Sequence, residues 1–164
     1  MKSKSEDPDG KIKAPGMSFP GGEVIVANPM TPLSGVWVDV LELEAGRRFP
    51  AHKHEHVSSL LICVSGAGML ELDEEEHRLE KGRAAFIPAG AVHAIQADES
   101  QVCRCIAVNQ GIMREDEDPD LEFREDLDDP NEWSQFADSA GDEIEEFVEK
   151  LKESSSPWTL YTNG

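Results

Sequence analysis

Between residues 23 and 110 the apolar positions fall in short runs cut by glycine, proline and acidic turns, a pattern of strands rather than helices. Segment 23–28 reads as a small apolar strand. Segment 36–44 alternates, with Val36, Val38 and Val40 on one face and Trp37 and Asp39 on the other. Segment 60–64 is continuously apolar, which predicts a strand buried on both sides. Segments 69–72 and 77–79 flank the acidic turn at 73–76 and form a hairpin; 84–87, 92–96 and 102–108 complete the set. Seven or eight short strands with no helix among them predict an all-β domain over 22–110, an antiparallel barrel or double-sheet jelly roll.

The flanks carry different patterns. Residues 1–21 are rich in Lys, Ser, Pro and Gly without periodicity, and read as a flexible N-terminal arm. Residues 111–164 form an acidic C-terminal extension. Its stretch 116–129 is dominated by carboxylates and is expected to be disordered or loosely attached. Trp133 and Phe136 suggest one short helical turn. Ile144, Phe147, Val148 and Leu151 recur at helical spacing, predicting one amphipathic helix at about 141–153, with Ser139 and Asp142 near its start and Pro157 beyond its end. That apolar face is too small to stand alone, so the helix is expected to dock on the barrel or on a partner.

Charge sharpens this division. The chain of 164 residues has a formal net charge of −19, of which 115–153 carries −15 from 18 acidic and 3 basic residues. Adaptation of the whole surface to high salt would acidify both parts. The concentration in the extension instead points to a protein partner for that segment, and long-range repulsion argues against nucleic acid or an anionic membrane. The basic residues near the N-terminus lack an apolar h-region, and no run of eighteen apolar residues occurs, so a cytoplasmic protein with no membrane span is expected. Cys63, Cys103 and Cys105, odd in number and set in apolar runs, read as buried free thiols. Strand parity puts Cys103 and Cys105 on one face; they are either small core residues or neighbours of a site in the cavity.

The candidate chemistry lies in two histidine patches. His52, His54 and His56 alternate with Lys53 and Glu55, so strand parity puts the three imidazoles on one face. His93 follows the Pro88-Ala89-Gly90 turn, which returns its strand across the sheet. Three imidazoles from adjacent strands leave coordination positions open for substrate or water. Trp37, Phe49, Phe86 and Met69 are available as apolar pocket walls.

Gly46, His52, His54 and Gly66, with Gly82, Pro88, Gly90 and His93, match in order the two spaced motifs of the cupin superfamily, which the stretch 36–108 resembles. The resemblance implies a jelly-roll barrel holding a divalent metal on His52, His54 and His93. It departs at Ser59, where such cupins generally place a glutamate ligand, and at Ala97, where asparagine is usual. His56 has the parity to act as an additional or substitute ligand, or to orient a liganding imidazole; otherwise the site is a bare three-histidine one, as in some cupin dioxygenases. Loss of the carboxylate raises the charge of the site by one unit, which favours an anionic or bidentate substrate. The resemblance implies a metal-dependent oxidoreductase of dioxygenase type acting on a small molecule, with Fe(II) favoured over Mn, Ni, Zn or Cu, in a homodimer. The alternatives are a metal-dependent isomerase or lyase, and a non-catalytic ligand-binding or regulatory cupin that kept the pocket without the metal.

Overall fold

The computed structural model describes residues 16–29, 35–112, 114–115 and 118–136; the helix expected at about 141–153 lies outside them. Its strands in chain order are β1 (Gly16–Phe19), β2 (Gly22–Pro29), β3 (Val36–Leu43), β4 (Arg48–Lys53) and β5 (Val57–Ser65). There follow β6 (Ala67–Leu72), β7 (Glu75–Glu80), β8 (Ala84–Ile87), β9 (His93–Ala97) and β10 (Cys103–Gly111). The two-residue strands β11 (Arg114–Glu115), β12 (Asp118–Pro119) and β13 (Glu122–Phe123) precede a short helix α1 at 130–136. A six-stranded sheet in the order β1-β2-β3-β10-β5-β8 faces a five-stranded sheet in the order β13-β4-β9-β6-β7, β11 and β12 forming a separate pair, and neighbouring strands are antiparallel. This is the double-sheet jelly roll expected from the strand pattern.

Alternation sorts each strand into a core row and an outer row. Trp37, Leu41 and Leu43, Val57, Leu61 and Cys63, and Cys103, Cys105 and Asn109 are all buried between the sheets. On β5 the outward neighbour Leu60 is 40% exposed, and on β8 Phe86 is 61% exposed. Segment 60–64 is therefore buried on one face only. Its continuous apolarity reflects an apolar outer surface, and Phe86 faces away from the pocket it was expected to line.

Two further differences from the sequence reading lie at the edges. The segment read as a flexible arm supplies β1, whose Phe19 is buried. The carboxylate-rich extension does not hang free over 118–136: β13 pairs with β4, and α1 carries Trp133 and Phe136 into the core. Asp129 caps α1 by accepting from the Glu132 amide (3.2 Å), and Pro130 opens it, where a missing N–H costs nothing. Trp133 stacks on Phe19 (centroids 5.2 Å) and meets Phe49 edge-on at 5.0 Å. Each such pair adds about 0.5–1.5 kcal/mol beyond area burial. The helix thus bridges the two sheets, its Trp133 touching Phe19 of β1, Phe49 of β4 and Phe123 of β13. Carboxylates dominate the count in this segment, but its few aromatics decide where it goes.

Candidate metal centre

Pro50 interrupts β4. It has no N–H to give the ladder, and the register with β9 slips between Phe49 and His52. The slip puts the rings of Phe49 and His52 on the same side, 4.6 Å apart, both buried. The Ala51 amide, turned away from β9, donates to the Glu125 carboxylate at 2.8 Å. His52 sits opposite His93 across the β4–β9 pair. His54 lies just past the end of β4, and its carbonyl accepts from the Gly90 amide (2.7 Å), which joins the two histidine patches.

The side chains of His52, His54 and His93 converge, with one ligand atom from each inside a common span of 4.8 Å. Each ring also has a backbone partner. His52 Nδ1 bonds Pro50 O at 2.7 Å, His93 Nδ1 bonds Ala91 O at 3.0 Å, and His54 Nδ1 bonds Asp120 O. A carbonyl only accepts, so in all three rings Nδ1 carries the proton and Nε2 keeps its lone pair. Burial pushes all three imidazoles down. His52 falls well below its ordinary value, helped by the rings of His93 and His54; His54 is lowered, and His93 drops to about 4. At neutral pH the trio is uncharged, the form that binds metal. The residues present therefore fit a divalent cation, and among the described residues no carboxylate joins the group.

Asp120 organises the turn that carries His54. Its two carboxylate oxygens accept from the amides of Glu55 (2.8 Å) and His56 (2.9 Å), while its carbonyl takes the His54 ring. His56 itself is exposed at this bend, outside the three-histidine group. The parity that aligned it with His52 and His54 requires a continuous strand, and β4 ends at Lys53. Asp120 went unrecognised because it lies in a carboxylate run that charge alone cannot resolve.

At Ser59 the hydroxyl donates to Asn109 Oδ1 (2.6 Å), and Asn109 Nδ2 donates to Asp39 Oδ2 (2.9 Å), which also accepts from Trp37 Nε1 at 3.3 Å. Asp39 Oδ1 is buried without a hydrogen-bond partner. Burial pushes this carboxyl up to about 7, against the two hydrogen bonds that lower it. The chain of contacts runs across the inner face of β5, β10 and β3. It lies at the histidine end of the barrel, where Ile112 N donates to His56 O (3.1 Å) and Gly111 N to Gly35 O (2.8 Å). Gly111 is required there, since a Cβ would stand 1.8 Å from His56 O. An acidic residue in the row of Trp37, Leu41 and Leu43 was the sequence signal for this carboxyl.

Residues 39–109 match the cupin domain family, and the jelly roll built around them is the fold that this match implies. Among solved structures, the capsular polysaccharide assembling protein CapF from Staphylococcus aureus is similar over 72% of this chain and 33% of its own, with 22% identity and a TM-score of 0.60. Vicilin from Corylus avellana (hazelnut) is similar over 57% of this chain and 31% of its own, with 17% identity and a TM-score of 0.52. The chain spans about a third of each of these two, and at such identities the likeness is one of fold. No curated protein matches the chain in sequence.

Proposed function

We propose that this cupin holds a divalent metal on Nε2 of His52, His54 and His93 and acts on a small molecule as a three-histidine oxidoreductase of dioxygenase type, with Fe(II) as the favoured metal. The observation that carries the reading is the common tautomer of three neutral imidazoles, two buried and His54 partly so, each fixed through Nδ1 to a backbone carbonyl. A metal bound there supplies Lewis acidity and, as Fe(II), activation of O₂. The chain's own residues do the rest. Phe49 and Phe123 shield His52 on its apolar side, with ring centroids 4.6 Å and 6.4 Å away. Three neutral ligands leave the metal's positive charge uncompensated, which favours an anionic chelating substrate.

One observation favours isomerase or lyase chemistry as the second reading. The Asp39 carboxyl, buried at the histidine end with one oxygen unpartnered, titrates near neutrality and can hold or take a proton. A non-catalytic ligand-binding cupin is the third, with a protein partner for the acidic extension. The expected location is the cytoplasm, which keeps the three free thiols reduced. Among the described residues no helix is long and apolar enough to cross a membrane.

Elemental analysis of the purified full chain tests the proposal. About one equivalent of divalent metal is expected in the wild type and well under a tenth in His52→Ala and His93→Ala. A metal-free wild type with ligand affinity unchanged in both variants would leave only the binding-module reading. With metal present, O₂ uptake on adding substrate separates the oxygenase from the lyase, which consumes none.

A further inference from the structure

A second convergence of ligand atoms lies away from the histidines and plays no part in the function proposed above. Cys63, Cys103 and Cys105 are each about 1% exposed or less, and their sulfurs all lie within 4.8 Å of one another. Cys63 sits opposite Cys105 in the β5–β10 register, and Cys103 is two residues along β10 on the same inward face. The Cys103 and Cys105 sulfurs are 3.9 Å apart. Cys63 is four residues along β5 from Ser59, about 13 Å towards the other end of the barrel. There it lies under the turns of Gly66 and Gly82, and its carbonyl accepts from the Gly82 amide at 2.9 Å.

We propose that these three cysteines form a second metal site, a three-sulfur pocket for a soft monovalent d¹⁰ cation, Cu(I). Three observations support it. A cation about 2.3 Å from each of three thiolates holds the sulfurs about 4 Å apart, close to the spacing already present. Donor softness selects the metal: thiolates suit Cu(I), whereas the imidazole trio at the other end suits a harder divalent ion. Packing alone does not call for sulfur, since the neighbouring positions Leu41, Leu43 and Leu61 fill the same layer with leucine. Binding releases one proton for each thiolate formed, and no electron moves. Three sulfurs complete a trigonal shell, whereas Zn(II) in a structural site takes four ligands.

The test uses the full chain, fully reduced and titrated anaerobically with Cu(I) against a competing Cu(I) chelator. One Cu(I) per chain is expected, with X-ray absorption showing a shell of sulfur at about 2.3 Å. The site is expected to persist in the triple variant His52→Ala, His54→Ala, His93→Ala and to weaken more than about tenfold in Cys63→Ala and Cys105→Ala. Failure to hold Cu(I) against the chelator, a shell of nitrogen, or loss of Cu(I) in the triple histidine variant would overturn the proposal. If the cysteine variants fail to fold by circular dichroism, the wild-type absorption spectrum and the histidine variant decide it. Because the histidines are dispensable here, failure at one metal site leaves the other standing.

Discussion

The imidazole of His93 and the carboxyl of Asp39 are both held away from their ordinary ionisation, and they tilt stability in opposite directions. His93 titrates at about 4 in the fold against about 6.5 in the open chain. Between those values the unfolded chain binds a proton that the fold refuses, so stability falls as pH drops through that window. The loss from His93 alone is roughly 3 kcal/mol by pH 4. His52 and His54 act in the same direction. Asp39 does the reverse, since its carboxyl titrates at about 7 in the fold against 3.8. From about pH 4 to 7 the fold keeps a proton that the unfolded chain has lost, so this contribution drains away as pH rises. Urea unfolding of the metal-free protein at a series of pH values separates the two. His93→Gln is expected to flatten the acid limb, and Asp39→Asn to stabilise the protein more at pH 8 than at pH 5, by more than about 1 kcal/mol. Unchanged slopes in both variants would count against these environments.

At the scale of elements, the stretch 118–125 acts as a strap along β4. Asp120 holds the turn bearing His54, β13 pairs with β4, and Glu125 takes the Ala51 amide together with the Arg48 guanidinium at 2.9 Å. Asp120→Ala leaves the amides of Glu55 and His56 without their acceptor and frees the turn. Metal affinity is expected to fall about 10- to 100-fold while the melting temperature moves little; equal affinity, measured by chelator competition, would show that the strap does not position His54. Strand identity was largely legible from alternation, because the inner row of each strand is apolar and the turns carry glycine or acid. His52 and His93 were legible because they pair across β4 and β9, and His54 because it follows His52 closely, although it is the turn held by Asp120 that brings its ring to theirs. The strap was not, because its aromatics Phe123, Trp133 and Phe136 are spread thinly through carboxylates, and composition averages them away. The bulge at Pro50 was also missed, though it spared the outcome by keeping His52 on the inner face.

For the whole molecule, the outer face of the six-stranded sheet carries a group of apolar side chains on β5, β8 and β10. Leu60 and Phe86 stand exposed there beside half-buried Ile62 and Val108. We read this as support for the homodimer expected from the cupin resemblance, since larger apolar patches mark association surfaces. Light scattering of the wild type is expected to give twice the chain mass, and Phe86→Glu to give the monomer with its circular dichroism intact. A wild type that is monomeric at micromolar concentration would refute this.

The order of strands within the sheets bears on what counts as the inheritable unit. The family match begins at residue 39, inside β3, and ends at 109, inside β10. It leaves out β2, which pairs with β3, β1, which pairs with β2, and β13, which pairs with β4. A fragment cut at those limits would expose two bare ladder edges and lose the aromatic plug of Trp133, conditions that invite strand-to-strand aggregation. The part of this chain that kinship makes recognisable is thus smaller than the part able to fold. Any shuffling of this domain between genes, natural or engineered, has to carry the segments on either side with it.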